Sequence, residues 1–280
     1  MNFLERYERR VFRTIKRAKL VEENDKIYVG LSGGKDSVSS LVMLKRFAET
    51  YGINCEIKGF HLDFGIPHWQ KVVEVVKKQA ESIGFEVEII DLKELGIPIQ
   101  EIVKKSVRPP CSTCGVIKRY LMNKLPRERG ANKLATGHHM DDFLVFFFKN
   151  LIGKNFLWIS KFKPKVEPSH PKFLCRIRPL FEVGRKDNEK FCKLMNIPFL
   201  QEEICAYSLT KCKLDLKKRK WFKTIDEIEK RHRNFKIQTI KAIEEMSEFF
   251  KSEEKLRECS VCGEPTNKEV CAFCNLIGKN

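Results

Sequence analysis

The sequence predicts an α/β protein with a doubly wound parallel sheet, followed by a helical C-terminal extension and a small cysteine-rich module. Three observations support this fold class. Strand patterns alternate with helices of about 10–15 residues, which is typical of parallel sheets because a helix makes each crossover. The segment after them is charged and helical throughout, and the chain ends in two closely spaced cysteine pairs. We predict a basic N-terminal helix (1–25), an α/β domain (26–208), a basic helical extension (209–255) and a terminal module (256–280).

Each element follows from the hydrophobic period and the turn residues. A basic helix is predicted over residues 3–20, because its apolar residues fall on one stripe. Strands are predicted at 26–31, 55–63, 86–91, 133–136, 176–180 and 198–201. Helices are predicted from the loop after the first strand to about residue 48, at 67–83, shortly after residue 91, and at 114–125, 141–151 and 186–195. Residues 153–172 are basic and contain three prolines, which predicts a loop. The extension predicts one or two long charged helices without a strand.

Positive charge is concentrated in three segments. The 280 residues include 54 Lys and Arg against 37 Asp and Glu, giving a net charge of +17. Residues 1–20, 153–178 and 211–236 carry net charges of +5, +6 and +7. Clustered basic charge suits a polyanion, since each neutralised phosphate releases counterions. We therefore expect a nucleic-acid partner; three solvated basic faces are the alternative.

The composition argues against membrane and secreted proteins. The longest apolar run covers residues 143–148, whereas a membrane span needs roughly 20 apolar residues. No signal peptide is visible at the N-terminus. We expect a cytoplasmic protein that has no membrane partner.

Eleven cysteines, an odd number, also argue against a secreted disulfide framework. In a reducing compartment, clustered cysteines more often bind metal or do chemistry. The terminal pairs are Cys259, Cys262, Cys271 and Cys274, with eight residues between the pairs. This spacing predicts a four-thiolate Zn²⁺ site, and so a small zinc ribbon. Four other cysteines are interpreted as free, mostly buried thiols: Cys55, Cys175, Cys192 and Cys212.

The loop between the first strand and its helix predicts a phosphate site. It reads Ser32-Gly33-Gly34-Lys35-Asp36-Ser37. Two glycines allow close approach of an anion, and the helix N-terminus supplies N–H groups and partial positive charge. Val29 and Asp36 occupy positions where a Walker A loop needs glycine and Ser or Thr, so this is a different phosphate loop. A tight turn with N-cap chemistry is the alternative, but it leaves the Lys35-Asp36 pair unexplained.

A second polar turn follows the strand at 133–136. It reads Gly137-His138-His139-Met140-Asp141-Asp142. Paired carboxylates can hold Mg²⁺ together with phosphate oxygens, or they can favour the dipole of the next helix. Both fit if Asp141 caps the helix and Asp142 faces the metal. His138 and His139 are expected to support this turn.

The central cysteine pair predicts reactive thiols. Cys111 and Cys114 open a helix that also carries Lys118 and Arg119, and thiolates at a basic helix N-terminus have a lowered pKa. With Cys205, they could bind three irons of a cubane cluster and leave the fourth iron open. A structural zinc pair and buried thiols are the alternatives.

Several segments of the chain resemble those of known enzymes. The loop at 32–37 resembles the PP-loop of the N-type ATP pyrophosphatases, which implies a PP-loop ATPase fold of the adenine nucleotide alpha-hydrolase-like type. A wider stretch resembles the TtcA/TtuA family of tRNA 2-thiolation enzymes. The matching segments are Cys111-Ser-Thr-Cys114-Gly-Val-Ile-Lys118-Arg119, Ala135-Thr-Gly137-His138-His139-Met-Asp141-Asp142, Asn150-Leu-Ile-Gly153, Arg178-Pro179-Leu180 and Cys205-Ala-Tyr207-Ser208. The tail resembles the TtuA and wobble-uridine thiolase branch.

This resemblance implies roles for individual residues. The implied ATP-binding residues are Ser32, Gly33, Gly34, Lys35, Asp36, Ser37, Lys118, Gly137 and Asp142. The implied ligands of a [4Fe-4S] cluster are Cys111, Cys114 and Cys205. Together with Lys118 near the phosphates and Asp142 on the magnesium side, these cysteines form the implied catalytic set.

The implied function is ATP-dependent tRNA thiolation: adenylation of a pyrimidine O2, then sulfur insertion giving 2-thiouridine or 2-thiocytidine. The implied partners are tRNA, a second copy of the chain, and a sulfur donor, which is sulfide, a persulfide carrier or a thiocarboxylated small protein. A cysteine persulfide fits the same residues as the cluster. A sulfur-free adenylating enzyme acting on tRNA and a non-catalytic RNA-binding zinc protein are the other candidate functions.

The sequence departs from the family pattern at three places. No cysteine precedes Cys55, although the TtuA branch usually begins with another zinc module. Phe143 follows Asp142 where the family usually has an acidic residue, and Ala206 follows the third cysteine where proline is usual. None of these changes touches an implied ligand.

Overall fold

In the computed structural model, a six-stranded sheet forms the centre of the chain. The structure describes residues 1–66, 69–201, 213–250 and 255–278, except for the side chains of 213–215. The strands are β1 (Lys26–Gly30), β2 (Glu56–Asp63), β3 (Val87–Asp91), β4 (Lys133–Ala135), β5 (Lys165–Val166) and β6 (Cys175–Ile177). Their order is β3-β2-β1-β4-β6-β5. Every neighbouring pair is parallel except β5 and β6. The predicted parallel α/β sheet is confirmed, with an antiparallel strand added at one edge.

Helices cover both faces of this sheet. They are α1 (Phe3–Arg17), α2 (Lys35–Tyr51), α3 (Gln70–Ile83), α4 (Ile99–Lys105), α5 (Pro110–Glu128), α6 (Met140–Ile152) and α7 (Arg185–Leu194). The side chains of β1 point alternately toward the helices on one face and on the other, because successive strand residues point to opposite faces of the sheet. Tyr28 packs into the core beneath α5, and Ile27 and Val29 pack into the core with α1, α2 and α7.

Three sequence predictions are corrected. Residues 198–201 form no strand; instead Leu200 N donates to Gly33 O at 3.0 Å, so this segment braces the loop after β1. The predicted loop at 153–172 contains a 3-10 helix (Phe156–Lys161) and β5, because Ile159 and Phe162 are buried against α6. Helix α5 begins at Pro110 rather than at 114, since proline suits the first helical position.

The extension forms two helices, α8 (Lys213–Arg231) and α9 (Phe235–Ser247), as predicted. They pack on α6 through a third apolar cluster that includes Phe143, Ile225 and Ile243. The terminal module contains β7 (Arg257–Glu258), β8 (Pro265–Thr266) and α10 (Ala272–Ile277). Its α10 packs against α5. Both C-terminal segments therefore lie against the α/β domain.

The sheet order places two loops beside each other. Strands β1 and β4 are parallel neighbours, and the chain leaves them in opposite directions around the sheet. Ligands of open α/β proteins bind at such a switch point, outside the carboxyl ends of the strands. The loop at 32–37 follows β1, and the turn at 137–142 follows β4. None of the described helices is long and apolar enough to cross a membrane.

Candidate nucleotide site and cysteine centres

The loop after β1 is closed by its own serines. Gly33 has a φ of +74°, a left-handed conformation that favours glycine. Ser32 N donates to Ser37 Oγ at 3.2 Å, and Ser37 Oγ donates to Gly34 O at 3.0 Å. Gly34 caps α2 in an extended conformation, so the first turn of the helix opens directly from the loop. Since first-turn N–H groups lack intrahelical partners, this end of α2 can receive an anion.

The back of the loop is fixed by side chains from β2 and α3. Gln79 Nε2 donates to Gly33 O at 3.2 Å and to Pro198 O at 2.9 Å. His61 Nδ1 lies 2.8 Å from Leu31 O, and Trp69 Nε1 donates to His61 Nε2 at 3.2 Å. The ring therefore donates from Nδ1. Burial lowers the pKa of His61, which keeps this neutral tautomer.

Asp36 is oriented by a buried chain of hydrogen bonds. Asn188 Nδ2 donates to Asp36 Oδ1 at 2.8 Å, and Tyr7 Oη donates to Asn188 Oδ1 at the same distance. Burial raises the pKa of Tyr7 well above its usual value, so it remains a donor. Lys35 Nζ lies 3.4 Å from Asp36 Oδ2. Helices α1 and α7 thus determine which way the Asp36 carboxylate faces.

The turn after β4 packs directly on the loop after β1. A Cβ added at Gly137 would lie 2.6 Å from Ser37 N and 2.7 Å from Asp36 C. Only glycine permits this approach. His139 Nε2 lies 3.7 Å from Asp36 Oδ2 and 3.4 Å from Asp142 Oδ2. The two predicted segments therefore form one site, with a buried imidazole between their carboxylates.

Asp142, and not Asp141 as predicted, accepts the capping hydrogen bond at the start of α6. Asp142 Oδ2 accepts from His139 N at 3.3 Å, which caps α6. Asp141 Oδ2 accepts from Arg185 N at 2.7 Å, and its Oδ1 accepts from Lys236 Nζ at 2.6 Å. The expectation that Asp141 caps the helix is therefore wrong: the turn directs Asp141 toward α7 and α9 instead.

Asp142 also contacts the extension. Its Oδ1 lies 2.9 Å from Lys218 Nζ on α8. Burial opposes ionisation of Asp142, but electrostatic attraction from the neighbouring His139 and Lys218 outweighs burial and lowers the pKa of this carboxyl far below its usual value. An ionised carboxylate is the type of ligand that suits the Mg²⁺ predicted here. Lys218 was not identified from the sequence, because basic residues are frequent throughout 211–236.

Lys118 approaches from the neighbouring strand. Its Nζ lies 4.9 Å from the Phe64 ring centroid and 5.5 Å from that of Trp69. Phe64 directly follows β2, so Lys118 lies at the carboxyl end of the strand beside β1. Cys111 and Cys114 lie in the first two turns of the same helix, α5, and are partly exposed. The third predicted cysteine, Cys205, lies outside the described residues.

The terminal cysteines form a compact metal-binding group. One Sγ from each of Cys259, Cys262, Cys271 and Cys274 lies within 4.8 Å of all the others. Cys262 Sγ and Cys271 Sγ are 3.7 Å apart. Four thiolates at this spacing can hold one ion. By contrast, Cys175 and Cys192 are buried free thiols, as predicted, and burial raises the pKa of Cys175 to about 12 and that of Cys192 to about 11.

The cysteine module is joined to α5 by specific contacts. The Tyr120 and Phe273 rings stack with centroids 3.8 Å apart. Arg127 donates to both oxygens of Glu264, at 2.9 and 2.5 Å. Lys172 Nζ donates to Gly263 O at 2.7 Å. Helix α5 therefore carries the central cysteine pair at one end and supports the terminal module further along.

The chain matches known proteins along most of its length. The PP-loop domain family matches residues 4–211. The tRNA-5-methyluridine(54) 2-sulfurtransferase of Pyrococcus horikoshii is 34% identical over 282 residues, covering 99% of this chain and 86% of that protein. The protein of the same name from Thermotoga maritima is 33% identical, covering 98% of this chain and 88% of that protein.

A solved structure is also similar: the U34-tRNA thiolase NcsA from Methanococcus maripaludis with its [4Fe-4S] cluster. It superposes with a TM-score of 0.79 at 28% identity, over 98% of this chain and 87% of that one. These matches span the loop after β1, the turn after β4 and the cysteine-bearing end of α5.

Proposed function

Because the chain belongs to the PP-loop family and, within it, to the tRNA 2-sulfurtransferases of the TtuA type, we propose that it is an ATP-dependent tRNA thiolase. It activates the O2 of a pyrimidine by adenylation and replaces that oxygen with sulfur. The observation that carries this proposal is the packing of Gly137 on Asp36 and Ser37. That contact joins the phosphate loop and the Asp142 turn into one nucleotide site at the switch point of the sheet.

The loop residues 32–37 receive the pyrophosphate part of ATP. Lys35 and the first-turn N–H groups of α2 stabilise negative charge on the phosphates as the α-phosphate is attacked. Lys118 adds a second positive charge from the side of β2. Asp142, already ionised and paired with Lys218, would hold Mg²⁺ through its carboxylate, with Gly137 forming the adjoining wall.

The reaction has two balanced steps. The base O2 attacks the α-phosphorus, a P–O bond forms, and the bond to the pyrophosphate oxygen breaks, so that pyrophosphate leaves. Sulfide sulfur then attacks the activated ring carbon, and AMP leaves with the original oxygen. The protein positions the reactants and neutralises the phosphate charge.

The sulfur is handled by Cys111, Cys114 and Cys205. Three thiolates suit three irons of a [4Fe-4S] cluster, and such a cluster would supply an open iron for sulfide. The position of Cys111 and Cys114 at the N-terminus of α5 supports this proposal, because that end of a helix stabilises thiolates. A persulfide on one of these cysteines uses the same residues.

Zn²⁺ fits the terminal cysteines. A tetrahedral site with Zn–S bonds of about 2.3 Å places its sulfurs roughly 3.8 Å apart. The Cys262–Cys271 separation of 3.7 Å matches this geometry. The four residues hold a structural ion, since thiolates fill all four positions.

The remaining proposals concern the setting of the reaction. The sulfur donor is sulfide, a persulfide carrier or a thiocarboxylated small protein, and the active unit is a homodimer. The reactive thiolates need a reducing compartment, which places the reaction in the cytoplasm.

The experiment that tests this function separates ATP chemistry from sulfur chemistry. Protein purified anaerobically is assayed with ATP, sulfide and bulk tRNA, and iron and zinc are counted per chain. We expect about four irons or slightly fewer and one zinc by the cysteine arithmetic. Lys35→Ala should abolish thiolation, whereas Lys45→Ala, which changes a half-exposed lysine further along the same helix, should not.

The sulfur chemistry is tested with Cys205→Ser, and Cys55→Ser is its matched control. Cys55 lies outside both cysteine groups, so its loss should leave thiolation unchanged, whereas Cys205→Ser should abolish it. Full thiolation by Cys205→Ser would refute both sulfur routes. Retained ATP–pyrophosphate exchange with no thiolated product from the wild-type protein would instead identify a sulfur-free adenylating enzyme.

A further inference from the structure

A second positively charged site lies where the terminal module meets α5. Arg119 from α5 and Arg176 from β6 line one cleft of about 320 Å³. The module closes its other side. The remaining described lining residues are Val116, Tyr120, Asn123, Phe173, Leu256, Glu264, Pro265, Thr266, Asn267, Cys271, Ala272 and Phe273. We call this space the arginine cleft.

The guanidinium of Arg119 lies beside the central cysteine pair. A Cβ added at Gly115 would lie 3.1 Å from Arg119 Nη1. The side chain therefore folds back over residue 115, as helical side chains do when they lean toward the N-terminus. Residue 115 directly follows Cys114. One wall of the arginine cleft is thus adjacent to the proposed sulfur site.

Arg176 faces Arg119 from the sheet. Its strand neighbours Cys175 and Ile177 are buried, while Arg176 keeps an exposed face. Enclosure by the surrounding protein, and then repulsion from Arg119, lower the pKa of Arg176. A guanidinium stays protonated in proteins. The cleft therefore holds two positive charges that repel each other, and an anion between them would relieve that repulsion.

The protein supplies no such anion within its described parts. The one carboxylate among the described lining residues, Glu264, is held by both nitrogens of Arg127. Over the described residues, neither Arg119 nor Arg176 forms a side-chain ion pair or hydrogen bond. Seven other arginines of the described chain do pair with carboxylates: Arg10, Arg13, Arg17, Arg46, Arg127, Arg129 and Arg185.

We propose that the arginine cleft binds a phosphodiester of the RNA backbone beside the cysteine pair. Guanidinium groups bind phosphate through two parallel hydrogen bonds. The Phe173 ring, the Thr266 hydroxyl and the Asn267 amide also line the cleft, which suits a nucleotide unit better than a lone ion. This inference rests on the proposed tRNA substrate and assigns a contact that positions it.

The test is the salt dependence of tRNA binding, measured without the thiolation reaction. Binding of bulk tRNA to the full chain is measured from 50 to 300 mM KCl for the wild type, Arg119→Met, Arg176→Met and the double variant. Each lost phosphate contact lowers the slope of log K against log salt by about 0.7–0.9. Because one phosphodiester carries one charge, we expect the double variant to lose about 0.7–0.9 in total, and each single variant to lose part of that amount.

Two controls accompany these variants. Lys58→Met removes one exposed charge on β2, three strands across the sheet from Arg176, and should leave the slope unchanged. Arg176→Lys retains the charge, so its slope should stay within about 0.3 of the wild type. Metal content and thermal unfolding establish that each variant is folded. If the double variant does not fold, the slopes of the two single variants provide the test.

The outcomes separate the possible ligands and the two proposals. A wild-type slope in the folded arginine variants would overturn the inference, and thiolation by the wild-type protein would still support the proposed function. Binding of inorganic phosphate that requires both arginines, with an unchanged tRNA slope, would assign the cleft to a free anion and refute the RNA contact. If the arginine variants reduced the salt slope but the wild-type protein did not thiolate tRNA, the proposed phosphodiester contact would be supported and the proposed function would be refuted.

Discussion

Replacing Gly137 with alanine tests whether the two halves of the nucleotide site depend on each other. The new Cβ would lie 2.6 Å from Ser37 N and 2.7 Å from Asp36 C. Both neighbours are backbone atoms at the start of α2, so neither can rotate away. The turn after β4 must retreat by about 0.8 Å before an ordinary contact of 3.4 Å is restored.

The retreat has an energetic and a functional consequence. Overpacking of this kind costs about 1–3 kcal/mol, which urea unfolding detects as a lower midpoint at an unchanged m value. Because α6 begins at this turn, Asp142 moves away from the phosphate loop. A misplacement near 1 Å can cost about 100-fold in rate, so we expect ATP–pyrophosphate exchange to fall by roughly 10- to 100-fold.

The neighbouring loop glycine gives the control for stability. Gly34 has a negative φ, and a Cβ added there would meet only Ser32 Oγ, at 3.3 Å. Gly34→Ala should therefore cost only about 0.5–1 kcal/mol, which is the penalty for alanine in place of glycine at a helix N-cap. If Gly137→Ala were as stable as Gly34→Ala and exchanged pyrophosphate at the wild-type rate, the proposed contact between the two loops would be refuted.

Three further outcomes follow from the same structure. The lowered pKa of Asp142 contributes stability that is present above its unfolded pKa of about 4 and is lost as the pH falls. Lys218→Met should therefore move acid unfolding to higher pH. The control is Lys217→Met at the preceding, exposed position, which should leave the acid unfolding midpoint unchanged. Tyr120→Ala removes the ring stacked on Phe273, which should destabilise docking of the terminal module by on the order of 1–3 kcal/mol and speed its proteolysis. Chelation of zinc should free four thiols for titration and unfold that module, because metal binding supplies its folding free energy; titration of no additional thiols would contradict a metal site there.

The phosphate loop could be predicted from local sequence alone. A strand, two glycines and a charged helix start are local features, and they predicted both the position of the loop and its use. The same holds for the terminal cysteines, whose spacing is short enough to fix their proximity. The strand predicted at 198–201 failed because its backbone hydrogen-bonds to Gly33 instead; a short apolar run does not specify its partner.

Other features needed the fold. The Asp36–Asn188–Tyr7 chain joins residues more than 150 positions apart, and the sequence contains no signal for it. Capping of α6 by Asp142 rather than Asp141 is also a tertiary effect, because Lys236 and the backbone of Arg185 hold the Asp141 carboxylate.

By itself, the sequence determined the order of most strands and helices, the phosphate loop, the metal-binding tail and, through resemblance, the family. These depend on periodicity and on spacings of a few residues, which the covalent chain fixes. Only the tertiary structure decided that α8 and α9 contact the Asp142 turn, and that Arg119 and Arg176 share one cleft. Those contacts depend on which faces pack together, and packing is settled by burial of apolar surface over the whole domain rather than by neighbours along the chain.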